Sequence, residues 1–188
     1  MAGLTTVGYF LFNLFFSLLI FLLWARIALR YLRVSSLHPV SRMIHTLTDA
    51  VIQPINRLLF QGSRQSRYDW ACITFLVLVE IIKFVLLALL FYGAIIPIVL
   101  LFICVLADLI VQPLDLLFYA IIIRVILSWV NPMSQHPIAE ILRLITEPVL
   151  QWGRRLVPDI SGFDFSPILI LVIIKIITIF IRASIPLV

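Results

Sequence analysis

Four long apolar runs alternate with two polar stretches along the chain. The runs lie near residues 7–29, 70–92, 100–127 and 166–185. Each supplies roughly the 20 helical residues that cross about 30 Å of hydrocarbon. The third is the least regular: from Gly93 to Val130 the chain reads either as one long tilted helix or as a hairpin broken at Pro113. The polar stretches carry a different pattern. Val149, Leu150, Gly153, Leu156 and Val157 fall on one helical face, with Gln151, Arg154 and Arg155 opposite. Just before them, Ile138, Ile141, Leu142 and Ile145 share a face that leaves out Glu140 and Arg143.

The first half repeats both patterns. Val51, Ile52, Ile55, Leu58 and Leu59 stand against Gln53, Asn56 and Arg57, after an apolar set of Val40, Met43, Ile44 and Leu47. Displacing the sequence against itself by 98 positions superposes Arg26 on Arg124, Ser36 on Ser134, His38-Pro39 on His136-Pro137 and Thr48 on Thr146. Val51, Gln53, Arg57 and Leu58 then meet Val149, Gln151, Arg155 and Leu156. After three extra residues near Gly62 the displacement becomes 95, and Tyr68-Asp69-Trp70 meets Phe163-Asp164-Phe165. The chain is a tandem duplication. We place the first copy at 1–92, a linker at 93–99 and the second copy at 100–188. Duplication favours one helix for the third run, because its counterpart is one run.

These patterns predict an all-α integral membrane protein with about four transmembrane helices in two tandem repeats. Each repeat is expected to carry a pair of short amphipathic helices at the membrane surface. Thr146 is the expected N-cap of the second short helix, with Pro148 in its first turn, where a missing N–H costs little. Ser166-Pro167 reads as N-cap and first residue of the last span. Such surface helices lay an apolar face on lipid and hold arginines near lipid phosphates, or they pack on protein instead. Arg57, Trp152, Arg154 and Arg155 are the candidate docking residues, with Trp152 at the boundary where interfacial tryptophans sit.

Composition agrees: 63% of the 188 residues are hydrophobic and only 12% are charged. The net charge of +5 reflects topology and is no sign of direct nucleic-acid binding. Seven arginines fall between Arg26 and Arg67, and Arg124, Arg143, Arg154 and Arg155 fall in the second polar stretch. Neither the N-terminal tail nor the linker has a basic residue, and Arg182 alone lies near the C-terminus. The positive-inside rule places both polar stretches in the cytoplasm and both termini outside.

No motif for catalysis stands out. There is no Gly-rich phosphate loop, no serine-triad signature and no His-Glu-x-x-His. Cys72 and Cys104 lie in apolar runs without zinc or redox spacing. His38 and His136 precede prolines and read as turn initiators rather than as metal or haem ligands. No cofactor and no enzyme activity are expected.

The segments "RVILSWVNP", "TEPVLQWGRRLVP" and "DFSPILIL" resemble the signature of the YggT family, also called YlmG. The matching positions are Arg124, Ser128, Trp129, Pro132, Glu147, Pro148, Arg154, Arg155, Pro158, Asp164, Ser166 and Pro167. The first copy departs, with Arg30-Tyr31 for Ser-Trp, Asp49-Ala50 for Glu-Pro and Trp70-Ala71-Cys72 for Phe-Ser-Pro. The second copy is therefore the better candidate for a binding surface. The resemblance implies a small bacterial inner-membrane protein with roles near osmotic-stress tolerance, cell division, nucleoid distribution or plastid cytochrome maturation.

Charges inside the spans are costly and need partners. Glu80, Lys83, Asp108, Asp115 and Lys175 form the candidate network. Gln112 and Tyr119 share a helical face with Asp108 and Asp115. Glu80 and Lys175 hold equivalent repeat positions and are expected to pair by pseudo-symmetry. Two functions compete. One is non-enzymatic assembly or scaffolding, with anionic lipid, a membrane-protein partner or a second copy of the chain as partners. The other is ion or proton transport.

Overall fold

The computed structural model describes residues 2–35, 37–59, 69–93, 95–130, 136–156 and 164–185. Several positions named above fall outside these: Ser36, Gly62, Arg67, Tyr68, Pro132, Ser134, Val157, Pro158 and Phe163, together with the side chains of Leu58 and Leu59. The described residues form six helices: α1 (Ala2–Tyr31), α2 (Pro39–Leu59), α3 (Trp70–Leu87), α4 (Ile98–Val130), α5 (Pro137–Leu156) and α6 (Ser166–Ser184). A π-helical turn, Ala88–Tyr92, extends α3 and ends on Gly93, whose left-handed φ of 61° suits a residue without Cβ. Four helices, α1, α3 with its extension, α4 and α6, are long and apolar enough to cross a membrane. The architecture is that of a multi-pass membrane protein.

The third run is one helix. α4 passes through Pro113 without a break and is 33 residues long, about 50 Å of rise. Contacts with α1, α3, α5 and α6 on its flanks hold it together across the missing hydrogen bond. This helix joins the two repeats. The first repeat packs Phe16, Ile20 and Leu23 of α1 against Leu76 and Val79 of α3, with Ile52 of α2 beneath. The second packs Ile121 of α4, Leu150 of α5 and Ile170 and Ile174 of α6. Between the repeats, Ala25, Leu29 and Ile44 meet Ile141.

The surface segments differ from the predicted pairs. Each is a single helix, α2 of 21 residues and α5 of 20, with Pro54 and Pro148 inside them. Thr146 is not a cap. It is buried in mid-helix, and its hydroxyl donates to the Leu142 carbonyl one turn back at 2.6 Å. The reason is the stripe Ala139, Leu142, Thr146, Leu150 and Gly153, all buried and spaced by three and four residues straight across Pro148. Packing along that stripe overrides the local breaker, and Pro148 itself stands on the exposed side of the helix. The stripe lies on α4 and α6, so most of the face with a choice between lipid and protein packs on protein. The start of α6 also shifts by one residue. Phe165 is the N-cap, Ser166 and Pro167 occupy the first two helical positions, and the buried Ser166 hydroxyl has no hydrogen-bond partner among the described residues.

Candidate functional site

At the end of the bundle that carries α2 and α5, each repeat builds a cluster of arginines and carboxylates. In the first, Arg26 near the end of α1 donates from Nε to Asp69 Oδ2 at 3.0 Å. Its Nη1 donates to Asp49 Oδ1 and Thr48 Oγ1, both at 2.6 Å. The Thr48 hydroxyl donates to the Ile44 carbonyl at 2.7 Å, which turns a lone pair toward the guanidinium. Arg30, one turn on, lies 3.1 Å from Asp69 Oδ2. Asp69 also caps α3, accepting from the Cys72 N–H at 3.3 Å.

The second repeat rebuilds this with one exchange. Arg124 donates to Thr146 Oγ1 at 2.8 Å and to Glu147 Oε2 at 2.6 Å. The link onward to Asp164 is made by Arg154, which donates to Glu147 Oε1 at 2.8 Å and to Asp164 Oδ2 at 2.9 Å. Asp164 accepts from the Ser166 N–H at 2.9 Å. The first repeat has Asn56 where Arg154 stands, and Arg30 where Ser128 stands. Each cluster thus holds two arginines and two carboxylates, but the second arginine comes from α1 in one and from α5 in the other.

Exposure separates them. The side chains of Arg26 and Asp69 are 7% and 3% exposed, those of Arg154 and Asp164 38% and 32%. Hydrogen bonds from Arg124 hold the Glu147 carboxyl below the ordinary range, against partial burial, and Arg154 adds to the effect. Burial pushes Asp164 upward, but hydrogen bonds from Ser166 and Arg154 outweigh it and bring its carboxyl down. Arg154 is raised by Asp164 and Glu147. In the first repeat, burial and then Arg26 lower the His45 imidazole. The second repeat has Arg143 at that position.

A cavity of about 300 Å³ opens beside the second cluster, between α4 and α5, with Arg124, Ser128, Arg143 and Glu147 on its wall. Of the residues singled out in sequence, Arg124, Glu147, Arg154 and Asp164 come together. Ser128 borders the cavity, while Trp129, Trp152 and Arg155 face outward. Arg154, with its side chain 38% exposed, ties α5 to the start of α6 through Asp164. Arg57 is exposed on α2. Arg26, Arg30, Thr48, Asp49 and Asp69 carry no site motif of their own in the sequence. The signal that could have found them is their recurrence: Arg, Thr and Asp stand at matched positions in both copies, although polar residues are otherwise free to drift.

The charges within the spans form other pairs than the predicted one. Lys83 of α3 binds Asp108 of α4 and lies 3.5 Å from Glu80, one turn back. Gln112 Nε2 donates to Asp108 at 3.4 Å. Lys175 does not meet Glu80; its ammonium stands 4.6 Å from the centroid of the Phe118 ring. Asp115 turns to Arg182 in the last turn of α6, at 2.6 Å. Equivalent positions in two copies are related by rotation, which does not make them neighbours. His136 accepts from the Ile138 N–H at 3.3 Å, in the turn that opens α5. His38 lies 3.6 Å from Glu140 across the repeat boundary.

Comparison with known proteins places this arrangement in one family. The family described as CCB3/YggT matches residues 5–90 and 103–185. An uncharacterised protein of Pseudomonas aeruginosa is 30% identical over 193 residues, covering 94% of this chain and 89% of its own length. A protein of Vibrio alginolyticus, described as uncharacterised and encoded in the 3′ region of proC, is 31% identical over 164 residues, 87% of this chain and 86% of its own. The uncharacterised protein YggT of Escherichia coli K12 is 24% identical over 168 residues, with coverage of 89% and 85%. No solved structure matches the chain.

Proposed function

The chain belongs to the CCB3/YggT family, and we propose that it is a non-enzymatic assembly or scaffold protein of the bacterial inner membrane. Its Arg-rich end faces the cytoplasm, as the positive-inside rule requires, and both termini lie outside. One observation carries the reading. After burying one stripe on α4 and α6, α5 keeps a second face, with Trp152 71% exposed beside Arg155 and Leu156. An exposed aromatic flanked by a cation is the usual composition of a contact hot spot or an interfacial anchor. The α2 helix repeats it more weakly through Met43, Leu47 and Arg57. The occupants we assign are a membrane-protein partner, or a second copy of this chain, with anionic lipid at the rim.

A photoreactive residue in place of Trp152, in intact cells, tests this. The expected result is a discrete protein adduct, absent when the same residue replaces the outward-facing Ile176 of α6. Lipid adducts alone at both sites would refute the scaffold reading.

A second reading has its own observation. Glu80 is fully buried, and its Oε1 has no hydrogen-bond partner among the described residues. Two carboxylates, Glu80 and Asp108, share the single ammonium of Lys83. In a bilayer interior the excess negative charge calls for a proton or small cation, as in a transport component. Glu80→Gln protein in liposomes should then keep its fold and lose proton or cation flux. Unchanged flux, or none in the wild type, removes this reading.

A further inference from the structure

We infer that the cavity between α4 and α5 binds the phosphodiester headgroup of an anionic glycerophospholipid. The site follows from the exchange between repeats. Where the first repeat places Arg30, whose guanidinium reaches Asp69, the second places the short Ser128, and the space becomes a cavity of about 300 Å³. That is the lower end of the size range of small-molecule sites.

Its charge selects the ligand. Glu147 is on the wall, but both its oxygens are taken, Oε2 by Arg124 and Oε1 by Arg154. Arg143 is on the wall, exposed, and in no ion pair among the described residues. The first repeat has His45 at that position, with its imidazole at 4.0 Å from Asp49. The second cavity therefore presents an uncompensated guanidinium, a second guanidinium held in place by Thr146 and Glu147, and the Ser128 hydroxyl. These groups match the oxygens and single negative charge of a phosphodiester. Leu127 and Leu142 supply apolar wall for the glycerol carbons.

Position selects the source. Ser128 is next to Trp129, which is 82% exposed at the end of a membrane-crossing helix, where tryptophan marks the headgroup layer. A headgroup tethered in that layer is present at far higher local concentration than free phosphate. The assignment rests on the proposed placement of this end at the membrane surface, and on no partner protein.

The test uses the full chain in detergent, titrated with phosphatidylglycerol or phosphatidylcholine and read by native mass spectrometry. The expected result is one retained phosphatidylglycerol, bound about tenfold more tightly than phosphatidylcholine, the size of one charged hydrogen bond. Equimolar inorganic phosphate should not displace it. Arg143→Gln should weaken retention about tenfold. Ser128→Arg, which installs the side chain of the first repeat, should abolish it. Arg42→Gln on α2 should retain lipid as the wild type does. Thermal unfolding of each variant checks the fold; if Ser128→Arg does not fold, the exposed Arg143→Gln decides alone. Equal retention of both lipids, displacement by phosphate, or wild-type retention by Arg143→Gln would each overturn the assignment. Lipid retained without any Trp152 adduct would remove the scaffold reading and leave this one standing.

Discussion

The Arg26 and Arg124 clusters are the same device built twice, once closed and once open. Both hold a threonine whose hydroxyl bonds back one helical turn and accepts from an arginine. Both end on an aspartate at the start of the following span. In the first, Arg26 and Arg30 come from one helix and bury the aspartate between them. In the second, Arg154 reaches in from α5, and the place of Arg30 is left to Ser128 and a cavity. A reciprocal exchange of two positions thus conserves charge balance while converting a structural clamp into an accessible site. The contrast extends into the spans. Lys83 of the first repeat is buried among carboxylates, whereas Lys175 of the second rests on an aromatic ring.

The largest expected effects lie on the closed side. Asp69→Asn keeps a capping residue but removes the buried carboxylate that Arg26 and Arg30 share, leaving Arg26 with Asp49 and Thr48. It should destabilise the protein by about 3–5 kcal/mol in detergent unfolding, as for a buried pair broken from one side. Asp164→Asn, at a side chain 32% exposed, should cost about 1 kcal/mol or less. Equal losses would erase the distinction between clamp and site. The same ordering should hold for Lys83→Met against Lys175→Met. Lys83 leaves two carboxylates without their cation, and Lys175 forfeits an aromatic contact worth about 2 kcal/mol at most.

Gly153 comes next. A methyl there would meet the Ser166 Cβ and the Ile170 Cγ1 at 3.0 Å and the Ser166 carbonyl at 3.3 Å. Gly153→Ala should push α5 off the start of α6 and cost about 1–3 kcal/mol. Because the displaced helix carries Arg154 and Glu147, a parallel loss of lipid retention is expected. Unfolding temperature and native mass spectrometry read the two effects separately.

The smallest effect is a pH dependence carried by the carboxylates of the open cluster. Glu147 and Asp164 titrate below the ordinary carboxylate range. Their contribution is complete above the unfolded values, about pH 4, and is lost as pH falls through the lower folded values. Arg154→Gln should therefore flatten the acid limb of the unfolding-temperature curve. Parallel acid limbs in wild type and variant would place the acid sensitivity elsewhere.

The spans and the duplication are plain in the sequence because both are long-range patterns that no single contact decides. Local chemistry is less legible. Thr146 and Pro148 carry the signals of a helix start, yet the buried stripe from Ala139 to Gly153 continues through them, since burial along five positions outweighs one missing hydrogen bond. Arg154 reads as surface from its helical face, and only the fold brings Asp164 to it across ten residues. The partner of Lys83 could not be chosen from sequence either, because Asp108 lies on a different helix 25 residues on.

One double-mutant cycle addresses the exchange itself. In the first repeat, Arg30→Ser removes the guanidinium supplied by α1, and Asn56→Arg offers one from α2 at the position of Arg154. If the two clusters are one device with interchangeable sources, Arg30→Ser alone lowers the unfolding temperature. Adding Asn56→Arg then recovers about half of the loss, with a coupling energy on the order of 1 kcal/mol. Strict additivity, with Asn56→Arg giving the same small change in both backgrounds, would contradict the account.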